Sequence, residues 1–360
     1  MSNYERFART INWELPDRLL TYDVIDNREL LERFGGQGDL IERNARMASR
    51  IGLDVTRGVY DPDHHPMGAK VQNWSRLLGV DPKNWEISQT GGAAWISRRP
   101  FHDLRGLEKS MPNLPQKSDV EEWYIPAIKK IQAVYEAFDV VFVGTAEGPI
   151  TEACTYADMT LFSEAIHAAP ELVDRLLEVF GGFSQYVAEA FAANPSAPLL
   201  FMGEDIAGRR GPIFSPEFIR EKALPIWKRI ARPIKEKGLK LLFHTDGRVQ
   251  EILPILVNEL GADGLNPIER NGCNDIFEIR RHYPRLLLFG NVCGATTLPY
   301  GTPEDVERET LELVERLGPQ GGIFIGSSSE VHDLVPVANA LRMYETVHRH
   351  GGFPIKVARP

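Results

Sequence analysis

The chain has 360 residues, 43% of them apolar and 25% charged, with a net charge of −9. That balance describes a globular protein with an ample core. It argues against a nucleic-acid partner, which needs clustered Lys and Arg, and no apolar run approaches the roughly 18–20 residues of a membrane span. The opening Met1–Arg6 lacks the apolar centre of a signal peptide, and Cys154, Cys273 and Cys293 lie far apart without a CxxC pair. A disulfide framework is therefore not expected, and the expected compartment is the reducing cytoplasm.

Strand-like and helix-like runs alternate along the chain. The strand candidates are Arg18–Tyr22, Asp54–Val59, Asp139–Gly144, Pro198–Met202, Leu239–Phe243, Gly264–Asn266, Leu286–Gly290 and Gly322–Gly326. All are short, and within Asp139–Gly144 the run Val140–Val143 is uniformly apolar, as parallel strands covered on both faces are. Helical periodicity marks Pro170–Phe191, Ser215–Lys237, Arg248–Leu260 and Thr302–Leu317. Ser215-Pro216-Glu217 and Thr302-Pro303-Glu304 read as starts, Gly238, Gly261 and Gly318 as stops. Eight such repeats predict an α/β fold closed as a (β/α)8 TIM-type barrel, over an open doubly wound sheet. No GxGxxG follows the first strand, which weakens a dinucleotide site. The whole of 1–360 reads as one barrel domain. Residues 62–117, rich in Trp (Trp74, Trp85, Trp95), Gly91-Gly92 and Arg98-Arg99, keep no clean period. They read as a long insertion after the second strand, folded over the mouth as a cap.

Barrel active sites gather at the C-terminal strand ends, and here those ends are acidic. They carry Asp23 and Asp26; Tyr60, Asp61, Asp63, His64 and His65; Glu147; Glu204 and Asp205; His244 and Asp246; Asn266 and Glu269; Asn291 and Cys293; and Ser327–Ser329, Glu330 and His332. Taken singly, each is an ordinary cap or turn residue. Carboxylates converging from several ends need a cation, a basic ligand or bound protons, because like charges in a low-dielectric cleft repel.

His244 and Asp246 follow Leu239–Phe243 two apart, so their side chains leave one face if the strand persists. With Glu330 they form a candidate metal set, with Asp205 and Glu147 behind them as catalytic candidates alongside His244 and Asp246. A competing reading makes Asp246 a helix N-cap and His244 a general acid. Asp23, Tyr60, Asn266, Asn291 and Ser328 are the candidate substrate-binding residues. His64-His65 reads as an exposed turn and Cys293 as either a thiol or a small buried hydrophobe. Ser327–Ser329 either cradles an anion or only lets the chain turn.

An ordered series of motifs then resembles the uroporphyrinogen decarboxylase superfamily, and more closely its branch of cobalamin-dependent methyltransferases. It comprises Tyr4-Glu5-Arg6 and Leu15-Pro16-Asp17-Arg18, Glu147-Gly148-Pro149-Ile150-Thr151, Gly203-Glu204-Asp205-Ile206 with Ser215-Pro216-Glu217-Phe218, His244-Thr245-Asp246-Gly247 with Asn266-Pro267-Ile268-Glu269, Gly290-Asn291-Val292-Cys293, and Ser327-Ser328-Ser329 with His332-Asp333, Val335-Pro336 and Asn339. The resemblance implies a (β/α)8 barrel.

Where the decarboxylases place an arginine-bearing R-Q-A-G-R-Y segment for substrate carboxylates, this chain has Asp23-Val24-Ile25-Asp26-Asn27. That argues against a porphyrinogen substrate. The methyltransferase branch binds zinc through an H-x-C pair and a late cysteine; here the pair is His244 and Asp246, with Ser329-Glu330 near the last position. The resemblance therefore implies a harder metal site suited to an oxygen substrate, a methyl ether or alcohol. The expected cofactors are zinc and a cobalamin (corrinoid) carried on a partner protein. Expected partners are a small-molecule substrate, that corrinoid protein and a second copy in a homodimer. The alternative is a metal-free lyase decarboxylating a small or aromatic acid, with Asp246 or His244 moving the proton. A non-enzymatic ligand-binding barrel ranks last.

Overall fold

Eight short strands run parallel: β1 (Leu20–Thr21), β2 (Val55–Thr56), β3 (Val141–Phe142, continued as Gly144–Glu147), β4 (Leu199–Gly203), β5 (Lys240–His244), β6 (Gly264–Asn266), β7 (Leu287–Phe289) and β8 (Ile323–Ile325). This is a computed structural model, and it describes residues 1–64, 66–90, 93–195, 197–270, 272 and 274–355. His65, Gly91-Gly92 and Cys273 lie outside them.

Neighbouring strands pair in order from β2 to β8. β8 pairs back onto β1. The last seam, β1 to β2, closes through a parallel bridge between Tyr22 and Val55, with the Asp23 N–H donating to the Val55 carbonyl at 3.2 Å. Each predicted strand is found in its place, and the sheet is a closed barrel, not an open one. No helix among the described residues is long and apolar enough to cross a membrane.

Strand alternation divides the core in two. Leu20 and Tyr22, Val55, Val141 and Val143, Leu199 and Phe201, Leu242, Leu287, Phe289 and Phe324 fill the barrel interior. Phe7 and Ile11 of the helix Asn3–Ile11 close its N-terminal end, with Trp13 packed against them. The intervening residues, such as Leu200, Met202, Leu241, Phe243 and Leu288, face the surrounding helices. Because the period is two, whatever follows an inward residue by two positions enters the mouth.

Most helices begin where the sequence signals them. Ser215 Oγ accepts from the Phe218 N–H at 3.1 Å, and Thr302 and Asp305 cap each other reciprocally. The predicted Ser215–Lys237 helix has one irregular turn, Ile219–Ala223, wound with π-type bonding. Pro225 has no N–H to give, so the Leu224 N–H reaches back to Ile219 and the wider turn absorbs the gap. The expected Arg248–Leu260 helix forms only in its second half. In the first half the Val249 N–H goes to Asn274 Oδ1 at 3.2 Å, and Asn274 Nδ2 donates to the Gly247 carbonyl at 2.7 Å, holding the chain to the next loop.

The insertion contains the helix Pro66–Leu78, an antiparallel hairpin of Glu86–Thr90 with Ala93–Arg98, and the helix Leu104–Lys109. Its changing type explains the missing period. Trp74, 1% exposed, packs edge-on against Trp85 (5.7 Å) and Tyr156 (5.4 Å) and beside Phe180 (6.0 Å), anchoring the insertion to the barrel's helices.

Candidate active site at the barrel mouth

Leu242, His244 and Asp246 alternate along β5 and its extension, so the imidazole and carboxylate rise from the inward face above Leu242. His244 donates from Nδ1 to Asn266 Oδ1 on β6 at 3.0 Å. Its ring packs on Phe201 of β4, centroids 5.1 Å apart. With Nδ1 committed, Nε2 turns to Asp205 Oδ1 at 3.4 Å. Asp205, Asp246 and His244 each bring one ligand atom within 4.8 Å of the others.

Asp246 begins no helix, which removes its reading as an N-cap. Its Oδ1 is buried and has no hydrogen-bond partner. A buried carboxylate oxygen left unpaired calls for a cation or a proton. The electrostatics agree. Burial raises Asp246 to about 6; His244 opposes this, while Asp205, Glu269 and Glu330 add to it. The bond from His244 and the charges of His244, Arg57 and Lys70 hold Asp205 below the usual carboxylate range against its desolvation. Burial pushes His244 down, but the Asp205 bond and the Asp246 charge outweigh it, and its pKa is raised.

Glu330, expected as the third ligand, is not in this group; Asp205 stands in its place. The reason lies in the chain after β8. Val331-His332 pairs with Ile25-Asp26, which draws Glu330 toward the β1 side, where it accepts from Ser329 Oγ at 2.9 Å. Burial, and then the Glu330 charge, lift Asp26 to about 6.

Several candidate substrate ligands are occupied internally. Asp23, 1% exposed, accepts from the Ser327 N–H (2.9 Å), Ser327 Oγ (2.5 Å), Tyr344 Oη (3.0 Å) and the Val24 N–H (3.1 Å). Burial nevertheless pushes its carboxyl up to about 7. Asn291, at φ 101°, donates to the Ile268 carbonyl at 2.6 Å and accepts from Arg270 Nε at 3.0 Å. Ser328 Oγ accepts from the Gly294 N–H at 3.0 Å. These groups tie one strand end to the next. Tyr60 is half-buried, its backbone held by the Asn44 amide, and burial followed by the Asp333 charge raises its hydroxyl. Asn266 is spent on His244.

Glu147 ends β3 beside Gly203, where an added Cβ would come within 3.3 Å of its Oε2, so the missing side chain makes room for the carboxylate. Glu204, next to Asp205, points the other way and is fully buried. It accepts from Thr151 N (2.8 Å), Thr151 Oγ1 (2.8 Å), Ile150 N (3.2 Å) and Trp227 Nε1 (2.7 Å), while burial raises it to about 7. Cys293 is buried, its Sγ 3.0 Å from Thr296 Oγ1. His64 is an exposed partner of Asp61 at 3.2 Å, away from the metal-compatible group.

Two cations in the mouth were not anticipated. Arg57 follows inward Val55 by two residues and lays its guanidinium over the Phe201 ring, 4.0 Å from the centroid. Lys70, from the insertion's first helix, pairs with buried Glu152, which also accepts from Trp74 Nε1 at 2.9 Å. Burial would lower Lys70, but Glu152 and then Glu147 outweigh it and raise it. The signal for Arg57 was its parity with Val55, masked by extending the second strand to residue 59. The insertion's irregular pattern gave no comparable signal for Lys70.

A closed (β/α)8 barrel with a histidine and two carboxylates converging at its C-terminal mouth is the architecture of a barrel enzyme site. The chain belongs to the uroporphyrinogen decarboxylase (URO-D) family, whose model matches residues 88–350. The uroporphyrinogen decarboxylase of a Synechococcus strain is 25% identical over 58% of this chain and 58% of its own length. The methylcobamide:CoM methyltransferase MtbA of Methanosarcina mazei is 21% identical over 84% of this chain and 83% of its own. The alignments thus span little more than half of the Synechococcus decarboxylases at best. A solved methyltransferase from Methanosarcina mazei superposes with a TM-score of 0.72, at 18% identity, covering 97% of this chain and 99% of its own; it shares the fold.

Proposed function

We propose that the protein is a corrinoid-linked methyltransferase, moving a methyl group between a small oxygen substrate of methyl ether or alcohol type and a cobalamin carried by a partner protein. The observation that carries this reading is the Asp205–His244–Asp246 group, with ligand atoms within 4.8 Å and one buried carboxylate oxygen unpaired. Similarity to methylcobamide:CoM methyltransferases supports the reaction class. The nitrogen and oxygen donors fit a divalent cation such as zinc. Such a cation supplies Lewis acidity, drawing electron density from the substrate heteroatom next to the methyl carbon.

The protein's own residues do the rest. Asn266 fixes the His244 tautomer and aims Nε2 at the shared centre. Phe201 buttresses the imidazole ring. Asp205, with a side chain 62% exposed, stands at the rim where substrate enters. The Lys70–Glu152 pair seats the insertion against the barrel.

A second reading, a metal-free carboxy-lyase, is favoured by one feature of the same site. In its protonated form His244 has both N–H groups placed, on Asn266 and toward Asp205, with a raised pKa. That imidazolium is poised to hand a proton from Nε2 to a carbanion. The decarboxylase relatives are consistent with it.

The test combines metal analysis of the purified protein and its His244→Ala variant with two assays. Stoichiometric zinc lost in the variant, together with methylcobalamin formed from cob(I)alamin and methoxylated substrates, is the expected result. Equal, near-zero metal in both proteins overturns the metal. Carbon dioxide released without corrinoid selects the lyase.

A further inference from the structure

Among the described residues, Arg57 makes no ion pair; it stands beside the buried Tyr22 hydroxyl, on which its charge and a hydrogen bond act. Its Nε is buried without a hydrogen-bond partner, and its guanidinium lies over the Phe201 ring. The other cation of the mouth, Lys70, is committed to Glu152. A guanidinium is a planar fork of five donors matched to carboxylate geometry; Arg57 is half-buried, and leaving its Nε desolvated without a partner is costly. The nearby carboxylates do not take it: Asp205 pairs with His244, and Asp26 has no ion pair among the described residues. Yet the Arg57 charge is felt by Asp26, Asp205 and His244. Phe201 links the two groups. Its ring carries the Arg57 guanidinium at 4.0 Å and the His244 ring at 5.1 Å, so one small molecule can reach both.

We infer that Arg57 is the anion receptor of this mouth, and that the substrate carries a carboxylate held on its guanidinium while the reacting end faces His244. Arg57 is here a specificity-determining residue. The inference rests on the mouth being the active site and is independent of whether a metal or a corrinoid takes part. It narrows the methyltransferase reading to a methoxy acid, and it suits the lyase reading equally.

The test is a calorimetric titration of the EDTA-stripped protein, so that no metal can serve as the receptor. The probes are methoxyacetate and 3-methoxybenzoate, each against its isosteric neutral amide. A charge-assisted bidentate contact is worth roughly 10- to 100-fold in affinity. The wild type should prefer each acid over its amide by that factor, Arg57→Met should lose the preference, and Arg57→Lys should keep part of it. Acids binding no more tightly than amides to the wild type overturn the inference, as does an undiminished preference in Arg57→Met. If Arg57→Met fails to fold, by circular dichroism, Arg57→Lys decides: a preference equal to the wild type's overturns it. Failure of the zinc or methyl-transfer assays leaves this result untouched.

Discussion

From the adjoining strand, Asn266 Oδ1 accepts the hydrogen bond of His244 Nδ1–H at 3.0 Å, and so decides which ring nitrogen the active centre receives. Such outer partners orient a ligand and typically matter 10- to 100-fold. Asn266→Ala should therefore weaken zinc by roughly 10- to 100-fold while the barrel stays folded. Competition with a chromophoric chelator measures it. Affinity unchanged within about twofold would mean that the amide does not set the ring.

Zinc affinity should rise with pH. The cation needs neutral His244 and ionised Asp246, and both hold their protons above the ordinary pH range for their type, Asp246 to about 6. Asp205, held low, is already ionised. Binding below neutrality thus releases protons, and the affinity climbs from pH 5 and levels off above the raised His244 value. Asp246→Asn should remove one released proton and flatten the slope. Titrations in buffers of different ionisation enthalpy count the protons.

Glu204 fixes the β4 end by accepting four hydrogen bonds in a fully buried position. Glu204→Ala strands those donors and should cost about 3 kcal/mol or more. Glu204→Gln keeps two lone pairs and should cost less. Gly148→Ala should resemble the alanine variant, since its Cβ would fall 2.0 Å from Glu204 Cδ. Chemical denaturation ranks the three.

Lys70→Met leaves the Glu152 carboxylate buried with, among the described residues, the Trp74 bond alone. Breaking a buried pair from one side costs about 3–5 kcal/mol. The loss should show as faster proteolysis within residues 62–117, and Lys70→Met/Glu152→Gln should be milder than the two single losses combined. Equal cleavage of variant and wild type would sever this link between insertion and barrel.

The barrel was readable because runs such as Leu239–Phe243 and Ile323–Ile325 are apolar on both faces, as only a covered parallel strand is. The His244/Asp246 pairing followed from the same parity. Glu330 misled because its place depends on Val331-His332 pairing with Ile25-Asp26, a contact between segments far apart in sequence that no local pattern reports. Asp23, Asn291 and Ser328 looked like free polar ligands, yet their partners, such as Tyr344 for Asp23, are far away in sequence. Arg57 was hidden by a strand boundary: β2 ends at Thr56, so the arginine emerges into the mouth instead of belonging to the strand.

The Asp23 clamp to Ser327 and Tyr344 also bears on biogenesis. A ribosome must emit the chain through Tyr344 before the cylinder is fastened, since the partners of Asp23 follow β8 and lie 304 and 321 residues downstream. Until then the nascent sheet has bare edges that invite pairing with other chains. Truncations that stop short of Ser327 should therefore be recovered as aggregates, not as smaller soluble barrels.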